Sequence, residues 1–345
     1  MAYAGTTYKR DGYNPSIGST GGAGDISPRT LGDICYDMLE RAHPHMVLEQ
    51  FGKSKTLGKG KGQQIFFRRF KKLPPATTAL TEGVTPASQK LTAQDYVLPL
   101  TRIGFVVEIS DEIEDHHDDP VIQEGVEIVS EQMAESLELL RFGGLVAGTS
   151  VFFSNGAARN AVNTEPTKDL FVKINRFLKR KDAKPITKFV GPTVEFGTVH
   201  MPKSYIAVCH TDLESSLEKI IGWKKPEDYA TKSPFENEIG SLPGFRFLTS
   251  TLLNPWADAG GVKGAMISTS GVNADVYPIL IFAENAYAIS AFKGMNALTP
   301  SVIPPSRKDK SDVLGQRGYI GAKGMAGACI LNDDWFVRVE VAVKA

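Results

Sequence analysis

Cysteine and histidine are scarce in this chain, and its charges cancel. Cys35, Cys209 and Cys329 are odd in number, far apart and outside any C-x-x-C spacing. That excludes a disulfide framework and a zinc knuckle, and it fits a reducing cytoplasm. The 39 Lys and Arg balance 39 Asp and Glu, whereas a dedicated nucleic-acid binder needs a surplus of cations for its phosphate contacts. No apolar run approaches the roughly 20 residues a membrane helix requires. The opening MAYAGTTYKRDGYN has no apolar core, so no signal peptide is expected. What is present is ordinary: 345 residues, 42% apolar and 23% charged, enough for two domains or one elaborated domain with a substantial core.

Motifs of chemistry are equally sparse. GKSKTLGKGKG departs from a phosphate-binding loop in its spacing, and Gly60 stands where a magnesium-holding hydroxyl belongs. His116, His117, Asp118 and Asp119 are adjacent, so their side chains diverge, and no HExxH accompanies them. They read as a solvated helix entry, and His43, His45, His200 and His210 read as structural. Cys209 beside His210 reads as buried packing at a strand end, and GSTGGAG neither follows a strand nor opens a helix. No catalytic, metal or cofactor site is expected.

The organisation says more. The first 24 residues hold six glycines without helical or strand period and read as an arm that something else must order. Ser27 and Pro28 start a short amphipathic helix carrying Leu31, Ile34, Met38 and Ala42, which ends at Pro44. From Phe51 to Ile103, two aromatic and β-branched runs flank a Pro/Gly-rich middle, the pattern of a long irregular hairpin with Pro99 keeping the second run at an edge. Phe105, Val107 and Ile109 mark a strand. Asp119 and Pro120 then open a long helix on which Ile122, Val126, Val129, Met133, Leu137 and Leu140 recur at helical spacing. It is expected to stop near Gly143 or Gly148, with Glu124, Glu127, Glu131, Glu135 and Glu138 as a carboxylate stripe on its opposite face.

A second helix is expected over 169–181, basic on one side through Lys173, Arg176 and Arg180. SYIAVC, PILIF and AYAIS read as core strands. Thr211 with Glu214 reads as a capping box ahead of Leu213, Leu217 and Ile220. The chain ends in a period-two strand with Trp335, Val337, Val339, Val341 and Val343 opposite Arg338, Glu340 and Lys344.

Charge is segregated along this neutral chain. Between Phe51 and Leu80 lie eight basic residues, Lys53, Lys55, Lys59, Lys61, Arg68, Arg69, Lys71 and Lys72, and no acidic one. Between Ile103 and Leu140 lie twelve acidic residues and no Lys or Arg. Any single exposed pair contributes little, but a basic hairpin without its own core and an acidic helix suit head-to-tail self-association through non-identical patches. These thirteen named residues are the expected inter-subunit contacts.

The joint order of FKKLPPATTALTEGVTP, GFVVEISDEIED, SYIAVCHTDLESSLEKI, SPFENEIGSLPGFRFLTS, VYPILIFAENAYAIS and DVLGQRGYIGAK ahead of ILNDDWFVRVEVAV resembles the tailed-bacteriophage major capsid proteins of the Hong Kong 97 type. Within them it is similar to the group typified by the phage N-four capsid protein. The resemblance covers the chain from about residue 33 onward. It implies an α+β fold with an arm and short helix at 1–51, an extended loop at 52–103 and a peripheral domain at 104–167 with a spine helix at 120–147. An axial domain at 168–345 follows, of which part of 285–325 returns to the peripheral sheet.

It further implies a virion shell of pentamers and hexamers, built in the host cytoplasm around double-stranded DNA that it does not read. A separate scaffolding protein and a portal protein are the partners it implies, with a decoration protein left open, and with no membrane and no cofactor. No Lys, Asn and Glu set for a covalent cross-link is matched. The basic helix at Lys173, Arg176 and Arg180 stays open between a solvated face, a subunit contact and a DNA contact. Two other readings remain: an encapsulin-like compartment, and a cytosolic metal-dependent hydrolase using His116 to Asp119. A tail-tube or adaptor protein is disfavoured by the long central helix.

Overall fold

The computed structural model describes residues 46–345 apart from 58–61, 78, 80–81, 84, 87, 112–120, 191–197, 230–234, 236, 295–298, 306 and 309–311. The glycine-rich arm, the short helix after Pro28, Cys35, His43, His45, His116 to Asp119 and the Pro120 helix entry lie outside the described residues.

In chain order the strands are β1 (Lys53–Leu57), β2 (Gln64–Phe70), β3 (Ala93–Pro99), β4 (Thr101–Ser110), β5 (Val151–Phe153), β6 (Ile186–Val190), β7 (Thr198–Cys209) and β8 (Glu238–Leu242). They continue as β9 (Phe245–Thr249), β10 (Tyr277–Phe282), β11 (Tyr287–Gly294), β12 (Thr299–Ile303), β13 (Arg317–Ala326), β14 (Ala328–Ile330) and β15 (Phe336–Val341). The helices are α1 (Val121–Val146), α2 (Lys168–Arg180) and the single-turn α3 (Glu214–Glu218).

A mixed seven-stranded sheet, ordered β5-β15-β10-β7-β9-β8 with β6 beside β7, forms the larger core. Its strands bury both faces, so side chains alternate between two apolar layers. One layer joins Tyr205, Ala207, Phe245, Phe247, Ile279, Ile281, Val337 and Val339 to Leu170, Phe171, Ile174 and Leu178 of α2. The other joins Ile206, Val208, Leu248, Leu280, Phe282 and Phe336 to Val47, Leu48 and Leu145 of α1. The terminal strand β15 is interior, between β5 and β10, and its polar side is not solvated. Glu340 is fully buried, and Arg159 donates to it twice at 2.8 Å while stacking 3.6 Å over the Trp256 ring.

α1 holds 26 residues, about 39 Å at 1.5 Å per residue. Val126, Val129, Met133 and Leu137 face a three-stranded sheet, β12-β13-β4, in a core with Ile109, Val302, Ile320 and Ala322. β13 pairs antiparallel with β4 over its full length, from Arg317 opposite Ser110 to Ala326 opposite Thr101. The helix runs past Gly143 and Gly144. A Cβ on Gly144 would stand 2.6 Å from the Ala328 carbonyl oxygen, so this glycine lets the helix lie against β14.

Two expected elements differ in detail. AYAIS becomes β11, which joins β1 (parallel) and β14 (antiparallel) in a sheet of its own. The turn at Thr211 is a 3₁₀ turn ahead of α3, and its cap is His210, whose Nδ1 accepts from Asp212 N at 3.1 Å. Leu213 and Leu217 are buried as their spacing requires.

Candidate functional site

The basic segment divides between two structures. β1 is not part of the hairpin. Its parallel pairing with β11 sets Lys53 opposite Ala288 and Lys55 opposite Ser290. Lys55 then turns to the hairpin base, where Nζ donates to the Phe66 carbonyl at 2.9 Å and stands 5.4 Å from the Phe67 ring centroid. The hairpin itself is β2 against β3, with Gln64 opposite Pro99 and Phe70 opposite Ala93.

Alternation sorts the hairpin side chains onto two faces. Ile65, Phe67 and Leu98 point to a small core with Leu57, Leu100, Ala288 and Leu331, which holds the hairpin at its base. On the other face lie the cross-strand pairs Phe66 with Val97, Arg68 with Asp95, and Phe70 with Ala93. That face is bare: Phe66 is 57% and Phe70 62% exposed, and Leu73 and Leu91 extend the apolar surface along the Pro-rich segment beyond. A monomer gains nothing from leaving these rings in water.

The hairpin's cations are partly committed within the chain. Arg68 donates from Nε and a terminal nitrogen to both oxygens of Asp95, at 2.7 and 2.8 Å. The hydrogen bond raises the guanidinium pKa and lowers that of the carboxyl. Lys72 reaches Asp182, just beyond α2, at 2.8 Å, an exposed pair with the same reciprocal shifts. Lys53, Arg69 and Lys71 are exposed and make no ion pair among the described residues. Lys59 and Lys61 lie outside the described residues. Asp95 and Asp182 were not singled out in the sequence, because neither register nor tertiary proximity is visible there.

The carboxylate stripe is uneven. Glu124 is exposed, Glu127, Glu131 and Glu135 are half-buried, and Glu138 is only 2% exposed. Glu138 corrects the expectation of a solvent-facing row. The stripe drifts around α1 until its last member meets the chain entering from residue 46. Its Oε1 accepts from Leu48 N at 2.7 Å, and Arg141, itself fully buried, lies 3.3 Å from its other oxygen and 3.2 Å from Glu49. Tyr287 donates its hydroxyl proton to the Leu48 carbonyl, locking the same segment to β11. Burial pushes the Glu138 carboxyl up despite Arg141. Glu138 is thus an internal clasp. The outward face of α1 shows Glu124 beside Ile128, which is 57% exposed, and Leu139, 41% exposed. Among the described residues, no ion pair joins Lys53, Lys55, Arg68, Arg69, Lys71 or Lys72 to the five glutamates.

No group of three or more His, Cys, Asp or Glu side chains with metal-binding proximity occurs among the described residues. Among the helices described, none is long and apolar enough to cross a membrane. Cys209 is fully buried at the end of β7, its thiol pushed far up by desolvation.

Neither protein-family models nor curated proteins match the chain. Solved structures do. The capsid of Ralstonia phage GP4 superimposes with a TM-score of 0.64 at 11% identity, covering 87% of this chain and 92% of that one. The capsid asymmetric unit of cyanophage Pam1 gives 0.61 at 12% identity, covering 88% and 92%. The head structure of Helicobacter pylori bacteriophage KHP40 gives 0.56 at 12%, covering 84% and 87%. The chain has the α+β fold of these phage capsid structures.

Proposed function

We propose that this chain is the major capsid protein of a tailed bacteriophage, a structural protein that tiles with copies of itself into an icosahedral head around double-stranded DNA. The observation that carries this reading is the match of most of the chain to phage capsid structures, over most of their own length. Nothing favours the encapsulin-like or hydrolase alternatives over it.

In this reading, residues 52–103 are the extended loop, 104–167 the peripheral domain, and 168–345 the axial domain, with β12 and β13 returning to pack on the spine helix. Subunits close into pentamers and hexamers because the contact is head-to-tail. The loop of one subunit lies over the peripheral domain of the next. Phe66, Phe70 and Val97 supply area for burial there, and Lys53, Arg69 and Lys71 face the acidic outer side of α1 around Glu124, Glu127, Glu131 and Glu135. Glu138 takes no part, since it is already paired inside its own subunit. A separate scaffolding protein and a portal complete the particle, and net neutrality suits a lining that does not hold incoming DNA.

The test is Arg69→Glu with Lys71→Glu. Both residues are exposed, so the subunit should fold normally by circular dichroism while particle yield by sedimentation and negative-stain microscopy collapses. Normal yield of closed shells would refute the contact, and absence of any shell from the unaltered protein would refute the function.

A further inference from the structure

A groove lies on the sheet face away from α1. It is a cavity of about 500 Å³ between α2 and the turn joining β8 to β9. Its floor is apolar, formed by Phe171, Val172, Leu242, Pro243 and Phe245, and its rim is cationic, formed by Lys168, Arg176, Lys179 and Arg180. None of these four cations makes an ion pair among the described residues, and Val172 is 47% exposed.

The turn that shapes one wall is specific. Gly244 has φ +92°, and a Cβ there would stand 2.8 Å from the Asn175 side chain. Asn175 donates Nδ2 to the Pro243 carbonyl at 3.4 Å, while its Oδ1 is buried without a donor.

The rim from Lys168 to Arg180 rises about 18 Å along the helix, the length of an extended segment of about five or six residues. Four uncompensated cations call for carboxylates, and the floor calls for an apolar side chain among them. A duplex phosphate backbone would satisfy the rim and leave the floor bare. We propose that this groove docks a short acidic peptide segment with a central apolar anchor, supplied by a separate protein rather than by another copy of this chain. The chain's own described acidic row, Glu124, Glu127, Glu131 and Glu135, is held in α1 with three of its members half-buried, and so does not offer an extended segment to a second copy's groove.

The experiment is fluorescence polarisation on the full-length protein, using a short labelled peptide with one leucine flanked on both sides by glutamates. Saturable binding is expected, weakened about tenfold or more by Arg176→Glu with Lys179→Glu. A similar loss is expected on changing the peptide's leucine to serine. Val172→Glu, which alters the floor without touching a cation, should also weaken it. Absence of saturable binding, or equal binding of the serine peptide, overturns the proposal. So does displacement by duplex DNA as effective as that by unlabelled peptide, which would make the face a general polyanion surface. If the charge reversals abolish self-association of the chain by analytical ultracentrifugation and leave peptide binding intact, the occupant is a second copy and the proposal fails.

Discussion

Arg141→Met should destabilise the subunit strongly, and a second change, Glu138→Gln, should restore much of the loss. Arg141 is fully buried, 3.3 Å from Glu138 and 3.2 Å from Glu49. Methionine fills much of the space but leaves the Glu138 carboxylate buried, with Leu48 N–H as its remaining described donor. Removing one partner of a buried pair costs about 3–5 kcal/mol, most of it the penalty on the stranded charge. Glutamine at 138 removes that charge while its amide oxygen still accepts from Leu48, so the double variant should recover about 2 kcal/mol or more.

The pH dependence carries a definite sign. Burial already raises the folded-state pKa of Glu138 above its ordinary 4.5, and loss of Arg141 raises it further. In that window the folded state holds a proton that the unfolded chain has released, so stability falls as pH rises. The deficit of Arg141→Met against the double variant should therefore be smallest below about pH 4.5 and grow toward neutrality. Urea unfolding of dilute subunits, followed by circular dichroism at several pH values, measures it. A double variant no more stable than Arg141→Met, or a pH-independent gap, would refute this reading of the clasp.

Two adjacent glycines of α1 should respond oppositely to alanine. A Cβ at Gly143 meets nothing within 4 Å, so Gly143→Ala should stabilise by about 0.5–1 kcal/mol through helix propensity. Gly144→Ala should cost about 1–3 kcal/mol, because its Cβ would press on the Ala328 carbonyl and the helix must shift; thermal melts of both variants check the contrast. Alkylation with iodoacetamide at pH 7, read by peptide mass spectrometry, should leave Cys209 unmodified in the folded protein. It should modify Cys329 slowly, whose thiol is pushed up to about 11 by burial, and both should react in urea.

Much of the fold was legible because amphipathic period reports directly which side of an element is apolar. The recurrence of Val126, Val129, Met133 and Leu137 marks the packed face of α1. The paired hairpin runs and the strands at SYIAVC and PILIF were equally readable. Period does not report what covers the opposite side. Glu138 and Glu340 therefore read as solvated and prove buried, the one under the segment at Leu48, the other under Arg159. The commitment of Arg68 to Asp95 depends on hairpin register, and that of Lys72 to Asp182 on two segments meeting in space.

Local pattern by itself determined which stretches are helix or strand, where the apolar faces lie, and that opposite charges occupy different parts of a neutral chain. Tertiary structure alone decided which of those charges are spent inside the subunit, which rings of the hairpin stay in water, and that a cation-rimmed groove opens beside Asn175. The division is physical. Periodicity is a property of neighbours along the chain, whereas burial and pairing depend on residues brought together from distant sequence positions, 239 apart for Tyr287 and Leu48.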